Sequence, residues 1–334
     1  YLPVYYTNHL SFLSRMHAFV RFVWQAKKLL KKIEQPEINY VISTPLTTGL
    51  IARHAQKKYD LPYVFEVGDL WPEAPIQLGV LKNPLLKQLA YRLERSIYRH
   101  AQHIVALSPD IQKAVTAKTD TPVEVVTNLA DTAYFSDAHD SEAYKAHLGY
   151  SGKFVIAYTG TIGLANHLEY LIDVARQTSN NPSIQYIILG SGGRSEAIKT
   201  LAKQHELDNI AFIDQSEKNI AREVLYAADA IYVSFKKVPI LATGSPNKFF
   251  DGLAAGKLII MNFKGWIKKL VDEHQCGFFY NPESPGEFSD RLKPFLMDEN
   301  KLMEAQKNAA SLANEFTIEQ QLSKLDSLLK ELLR

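Results

Sequence analysis

The run Gly244-Ser245-Pro246-Asn247-Lys248-Phe249-Phe250-Asp251-Gly252-Leu253-Ala254-Ala255-Gly256-Lys257 combines an amide, an ammonium and a carboxylate with the punctuation of a helix that follows a loop. Ser245 suits a helix cap, Pro246 the first helical position and Gly256 the exit. At about 100° per residue, Asn247, Lys248 and Asp251 fall on one stripe, and Phe249 and Leu253 fall on the opposite one. Such a helix buries its aromatic stripe. Its free N–H groups, positive dipole end and the Lys248 ammonium then converge on one place, with the Asp251 carboxylate a turn further in. Amides and a cation hold phosphate, and a carboxylate accepts from ribose hydroxyls, so the chemistry indicated is the binding of a nucleotide sugar. An ordinary capped helix fits the same pattern, and the local sequence leaves both readings open.

Two glycine-rich stretches point the same way. Gly160-Thr161-Ile162-Gly163 follows the apolar run Phe154 to Tyr158, and Gly190-Ser191-Gly192-Gly193 follows Ile184 to Leu189. Glycine permits a tight turn and close approach of backbone to an anion. The second stretch lacks the full dinucleotide-binding spacing, and each is a weak signal alone, the first nearly as well read as a plain turn; their recurrence in successive loops is the stronger sign. A third group, Phe65-Glu66-Val67-Gly68-Asp69-Leu70-Trp71-Pro72-Glu73, sets carboxylates beside an indole. Asp69 or Glu73 could bind sugar hydroxyls or move a proton, whereas a capping Asp with a core Trp is the structural alternative. His100-Ala101-Gln102-His103 has a spacing that could seat a metal, but it straddles a helix-to-strand boundary, so capping or packing is expected there. No Asp-x-Asp pair occurs in the chain. The simplest carboxylate site for a metal on a diphosphate is therefore lacking, and metal independence is expected.

These groups need a scaffold, and short β-rich runs alternate with helical patterns almost throughout. Ile38 to Ser43, Tyr63 to Val67, His103 to Leu107 and Val123 to Val126 form a first group. After a polar stretch around Asp131 to Gly152 come Phe154 to Tyr158, Ile184 to Leu189, Ile210 to Ile213, Ala230 to Val233, Leu258 to Asn262 and Gly277 to Tyr280. Alternation of this kind predicts an α/β protein of two Rossmann-like, doubly wound parallel-sheet domains. Ligands of such sheets bind beyond the carboxyl ends of the strands, which selects the loops Thr159 to Asn166, Gly190 to Gly193, Asp214 to Glu217, Phe235 to Lys248 and Gly68 to Glu73. The domains are expected at 1–135 and 150–314. An amphipathic helix within 315–334, with Leu322, Leu325, Leu328 and Leu329 on one side, is expected to pack back on the first.

Composition bounds the function. A length of 334 residues suits two domains of ordinary size, and 46% hydrophobic with 22% charged residues is typical of globular proteins. A net charge of +2 argues against bulk nucleic-acid binding. The single cysteine, Cys276, excludes an intramolecular disulfide and fits a reducing compartment, so a cytoplasmic placement is expected. The segment Ser11 to Lys32 mixes Phe12, Phe19, Phe22 and Trp24 with Arg15, Arg21, Lys27, Lys28, Lys31 and Lys32, and Leu85 to Arg99 carries Lys87, Arg92, Arg95 and Arg99. Such surfaces can rest on anionic lipid, which would give peripheral contact with the inner face of the membrane; packing on the protein's own sheet is the alternative.

In combination, the motifs resemble bacterial family 4 glycosyltransferases of the GT-B fold, and in particular the L-fucosamine transferase branch of O-antigen and capsule synthesis. The residues carrying the resemblance are Gly68-Asp69-Leu70-Trp71-Pro72-Glu73, Gly79-Val80-Leu81-Lys82-Asn83-Pro84, Ala106-Leu107-Ser108-Pro109, Thr127-Asn128, Ser245 to Asp251 and Ala254-Ala255-Gly256-Lys257. The resemblance implies two domains facing across a cleft and a retaining, metal-independent transferase without a cofactor. It would move a sugar, of the N-acetylated hexosamine type, from a UDP-sugar to a glycan or lipid-linked acceptor. Carried over position by position, Ser245, Asn247 and Lys248 would hold the diphosphate and Asp251 the ribose. Gly160, Thr161 and Gly190 would line the phosphate side, and Asp214 and Gln215 would face the base; Asp69 and Lys248 are the catalytic candidates. Two departures stand out. A glutamate pair of the wider family falls on Thr243 and Asp251, and basic residues common after the first donor-domain strand fall on Thr161 and Asn166, with His167 adjacent. Tyr1 matches a point well inside the first domain, so the family's opening strand and glycine-rich acceptor loop are expected to have no counterpart in this sequence. A nucleotide-sugar epimerase of the same architecture and a nucleotide-sugar-binding subunit without catalysis are the rival readings.

Overall fold

A computed structural model describes residues 2–5, 12–136, 140–214, 218–284 and 286–333. The chain divides into two compact units. One comprises Tyr1–Thr127, Val238–Ser245 and Gln321–Arg334, and the other Asn128–Lys237 and Pro246–Gln320. This division departs from the expected one: 238–245 belongs with the first unit, and the polar stretch after Asp131 belongs with the second. That stretch is not a bare linker. Its residues Ser141–Leu148 form a helix whose cap is Asp140, the carboxylate of which accepts from the Glu142 amide at 3.0 Å.

The first unit is built on a parallel sheet in the order β1 (Asn39–Ile42), β2 (Tyr63–Val67), β3 (His103–Ala106), β4 (Val123–Val125). Side chains alternate across it, as the period of a strand requires. Tyr63, Phe65, Val67, Ile104 and Ala106 face one buried cluster with Ile97, Tyr98, Ile111 and Val115 from helices. Val64, Val105 and Val126 face the other side, where Leu325, Leu328, Leu329 and Leu332 of the helix Ile318–Leu332 cover them. The carboxyl-terminal helix thus packs on the first sheet as expected, but Leu322 does not take part and is 55% exposed. Gln321 continues the inward stripe instead, and its amide oxygen accepts from the Thr127 amide at 3.2 Å.

In the second unit, six parallel strands lie in the order β10 (Gly277–Phe279), β9 (Leu258–Met261), β8 (Ala230–Val233), β5 (Phe154–Thr159), β6 (Ile184–Leu189), β7 (Ile210–Ile213). Strands buried on both faces read as unbroken apolar runs, and β8 and β9 are buried at every position. Tyr158, Tyr186, Tyr232 and Tyr280 pack on one face of this sheet with Leu171, Ile172, Phe288 and Leu292; Val155, Ala157, Ile187 and Leu189 pack on the other with Val224 and Ala228. The strand order reverses between β5 and β8, which pair through Ile156↔Ala230 and Ala157↔Ile231. In an open α/β sheet the crevice beyond that reversal is where ligands sit.

Candidate functional site

Two glycine loops leave the carboxyl ends of β5 and β6 and run side by side. The Gly160 amide donates to Leu189 O at 2.9 Å, Ile162 N to Ser191 O at 2.9 Å and Arg194 N to Ile162 O at 3.0 Å. Their contact requires glycine. A Cβ on Gly190 would stand 1.9 Å from the Gly160 carbonyl oxygen, and one on Gly192 would stand 2.4 Å from that of Ile162. Gly160 and Gly190 also have φ of +128° and +149°, which residues with a side chain rarely adopt. Gly190 N donates to Ile213 O at 3.0 Å, so the end of β7 joins the same rim. Asp214 stands there, exposed, with its carboxylate 2.8 Å from the Lys199 ammonium. Gln215 lies outside the described residues.

The helix Asn247–Ala254 meets this rim at its amino end. It begins one residue later than expected. Pro246, not Ser245, holds the cap position with extended ψ of 127°, and its carbonyl accepts from Phe249 N at 3.0 Å. A proline cap offers no side-chain acceptor, so the Asn247 and Lys248 amides, in the first turn, have no partner within the helix. The exit is as expected. Gly256 has φ of +60°, and Lys257 N donates to Gly252 O at 2.9 Å. Phe249, Phe250 and Leu253 are fully buried, and a Cβ on Gly252 would meet Ile231 Cγ2 at 2.4 Å, so the helix lies tight on β8. That packing fixes Lys248. Its ammonium is 4.9 Å from the Tyr158 ring centre, and its Nζ is 3.8 Å from where a Gly160 Cβ would be. The side chain keeps partial solvent access, yet desolvation by surrounding protein pulls its pKa down to about 8, against the opposing charge of Asp251. Tyr158 in turn donates to Thr161 O at 2.6 Å, which ties the first glycine loop to the same aromatic ring.

Buried polar groups lock the β5 loop to the end of β8. Ser234 Oγ donates to Asn166 O at 2.7 Å, and Lys236 N donates to Ala165 O at 2.7 Å. Asn262, at the end of β9, accepts from Phe235 N at 3.0 Å and donates to Phe235 O at 3.1 Å and to Ser234 Oγ at 3.2 Å. Next along, His167 Nδ1 lies 3.2 Å from Glu169, whose other oxygen pairs with Arg194. Burial holds the His167 pKa below its ordinary value; Lys236 and Arg194 push the same way, and Glu169 and Asp173 oppose them.

The candidate carboxylate Asp69 belongs to the first unit, just past β2, beside Gly68, whose amide donates to Ser43 Oγ at 3.1 Å. It caps no helix, since the following helix Glu73–Gln77 has Pro72 at its cap. The side chain is open to solvent, and the bulk of protein around it raises its pKa above the usual carboxylate range without sealing it off. Glu73 is engaged structurally. It accepts from Tyr91 and from Gln77, and the Tyr91 hydrogen bond holds its pKa down. Thr243 is also in the first unit, where its carbonyl accepts from Ser108 Oγ at 2.6 Å. His100 bonds to Ser96 O of its own helix at 2.8 Å, and His103 opens β3, so the helix-to-strand boundary falls where expected. Among the described residues no three His, Cys, Asp or Glu side chains cluster as a metal site would need.

Of the expected residues, Gly160, Thr161, Gly190, Lys248, Asn247 and Asp251 therefore gather around the end of β5, with Asp214 on the β7 side. Ser245 precedes the helix and Asp69 lies in the other unit. Sequence reading did not single out Ser234, Lys236 and Asn262. Their signal was position: each follows an apolar run within three residues, at the carboxyl end of the sheet.

Residues 140–312 match the glycosyl transferases group 1 family, and residues 1–128 match the glycosyl transferase 4-like domain. Over 204 residues the chain is 27% identical to the Escherichia coli (strain K12) protein provisionally named colanic acid biosynthesis glycosyl transferase WcaI, covering 58% of this chain and 49% of that one. The match thus spans about half the length of that relative. Among solved structures, sucrose-phosphate synthase from Thermosynechococcus elongatus is similar with a TM-score of 0.80 at 15% identity, covering 99% of this chain and 81% of that one. Anabaena Alr3699/HepE, solved in complex with UDP-glucose, is similar with a TM-score of 0.73 at 16% identity, covering 96% and 84%. WaaG, a glycosyltransferase involved in lipopolysaccharide biosynthesis, is similar with a TM-score of 0.65 at 13% identity, covering 88% and 85%. At such identities the likeness speaks for fold, and the fold is that of GT-B glycosyltransferases: two α/β units on parallel sheets. With its strand order, its glycine loops and a family match reaching from residue 140 to 312 of 334, the chain belongs to the group 1 glycosyl transferases.

Proposed function

We propose that this glycosyltransferase takes a sugar from a UDP-sugar and transfers it, with retention of configuration and without a metal, to a lipid-linked or glycan acceptor in surface-polysaccharide synthesis. The observation that carries the reading is the convergence of the paired glycine loops, the first-turn amides of Asn247 and Lys248 and the Lys248 ammonium at the carboxyl end of β5. Backbone donors and one cation at a helix start suit a diphosphate. They also suit its departure: as the bond from the sugar to the diphosphate breaks, negative charge grows on the leaving oxygen, and preorganised donors stabilise it. Retention follows if the acceptor hydroxyl enters on the face that the diphosphate leaves, the leaving group itself being the nearest acceptor for its proton. Asp251, one turn behind Lys248, is assigned to the ribose, and Asp69 to the sugar or acceptor hydroxyls. UDP-glucose bound to Alr3699/HepE supports a uridine donor. The motif resemblance supports a donor sugar of the N-acetylated hexosamine type.

We assign the first unit a peripheral contact with anionic lipid at the inner membrane face. Leu85 (69% exposed) and Leu89 (57%) lie open on the helix Pro84–His100 beside exposed Lys82 and Arg92, and Trp24 (57%) lies open beside Arg21 and Lys28. Among the described residues no helix is long and apolar enough to cross a membrane.

Product analysis of the protein with a panel of UDP-sugars, with and without a lipid-linked acceptor, tests the assignment. Transfer only when acceptor is present is expected. Interconversion of UDP-sugars without acceptor would mark an epimerase, and binding without turnover a subunit that has lost catalysis. Asp251→Ala is expected to weaken UDP binding about 10-fold, the size of a lost hydrogen bond to a charged group. Lys248→Ala should lower kcat more than donor affinity, because the charge it meets is largest at the transition state.

A further inference from the structure

A diphosphate carries more than one negative charge, and the loop nearest to it, Gly160-Thr161-Ile162-Gly163-Leu164-Ala165-Asn166, has no cation of its own. Lys248 supplies one, from the helix side. The remaining basic groups around the loop are His167, Arg194, Lys236 and Lys237, and they are not equivalent. Arg194 is spent on Glu169, and Lys237 pairs with Glu283. His167 sits against Glu169 and the Tyr170 ring, 4.4 Å between centroids, with a pKa held below its ordinary value. Lys236 differs from all three. Among the described residues its ammonium has no ion-pair or hydrogen-bond partner.

Its backbone, by contrast, is fixed. Lys236 N donates to Ala165 O at 2.7 Å, and the preceding residue is held on both its N–H and its carbonyl by Asn262, a buried side chain that also bonds Ser234. Phe235 adds a ring contact with Phe263 at 4.8 Å. Lys236 is thus the third residue past β8, at the strand-order reversal, on a segment bonded directly to the β5 loop. Its charge is close enough to that loop to depress the His167 pKa. A buried Ser and Asn spent on placing three residues, followed by a half-buried and uncompensated ammonium, describe a side chain held ready for an anion.

We propose that Lys236 is the second cation of the donor site, gripping the diphosphate from the β8 side while Lys248 grips it from the helix side. The inference rests on the donor reading above and extends it to a residue outside the glycine loops and the Asn247–Ala254 helix. The cationic role is carried by two lysines on opposite sides of a loop that is itself neutral.

Calorimetric titration of the intact chain with UDP and with uridine tests it, using Lys236→Gln, Lys236→Arg and, as a control, Lys237→Gln, with thermal melts to establish folding. Loss of one charge-assisted contact should weaken UDP binding by about 10- to 100-fold in Lys236→Gln. Uridine binding should be unchanged, Lys236→Arg should keep UDP affinity within a few-fold, and Lys237→Gln should match the unaltered protein. UDP affinity unchanged in Lys236→Gln, or uridine affinity falling in step with UDP, would overturn the assignment while leaving the UDP donor intact. A protein that binds GDP or ADP rather than UDP, with Lys236→Gln weakening that nucleotide, would keep Lys236 in its role and overturn the uridine reading. No binding of any nucleoside diphosphate by the unaltered protein would end both.

Discussion

Lys248 carries the sharpest consequence at the scale of single residues. Its surroundings depress its pKa to about 8, while an unfolded lysine titrates near 10.5. The folded protein therefore holds fewer protons than the unfolded chain between those values. The contribution of this group to stability is fully present above the unfolded pKa and is lost as pH falls through about 8. Ligand binding runs the other way. A diphosphate placed against the ammonium raises its pKa again, so UDP binding near pH 8 should take up a proton, and UDP affinity should fall as pH rises further. Calorimetry in buffers of different ionisation enthalpy reads this directly: the apparent enthalpy at pH 8 should depend on the buffer for the native protein and lose that dependence in Lys248→Ala. Equal buffer dependence in both would mean that another group titrates. The types of Asn247, Lys248 and Asp251 and their shared helical stripe were legible in the sequence. The depressed pKa was not, because it arises from desolvation by the protein packed around the ammonium rather than from any neighbour along the chain.

At the scale of elements, apolar runs located every strand among the described residues, because parallel strands buried on both faces leave an uninterrupted apolar record. Turn and cap positions were less legible. The start of the Asn247–Ala254 helix moved by one residue, since its first turn closes on the Pro246 carbonyl, and only the dihedral angles of Pro246 distinguish that from a serine cap. The helix Ser141–Leu148 was hidden by its polar composition; the burial of its Lys145 is offset by ion pairs with Glu142 at 2.8 Å and Asp229 at 3.0 Å, the latter distant in sequence. The glycine loops were visible as composition, but their mutual contact was not. That contact makes a firm prediction. Gly190→Ala combines a left-handed backbone with a Cβ 1.9 Å from the Gly160 carbonyl oxygen, so the loops must part. Backbone strain alone costs about 1–3 kcal/mol. A lower denaturant midpoint together with loss of UDP binding is expected, and a variant binding UDP as tightly as the native protein would show that the loop pair does not hold the donor.

At the scale of the whole molecule, the chain crosses between its two units at 127/128, 237/238, 245/246 and 320/321. A sequential division at 135 and 150 could not reveal this, because residues 238–245 leave the second unit for only a short excursion whose packing, through Ile240 on the first unit's core, has no sequence signature. The first unit's exposed apolar and basic residues lead to a second expectation. In flotation assays the protein should rise with vesicles containing anionic lipid and stay down with neutral ones, and Leu85→Ser with Leu89→Ser should release it without changing UDP affinity. Binding to both vesicle types, or no effect of the double substitution, would count against the lipid surface. Whether a diphosphate binds at the end of β5 can be seen in a crystal structure of the protein with UDP. Phosphate oxygens are expected within hydrogen-bond distance of the Asn247 and Lys248 amides and the Lys248 ammonium, with the ribose hydroxyls on Asp251. UDP bound elsewhere, with protein side chains occupying the space before that helix, would contradict it.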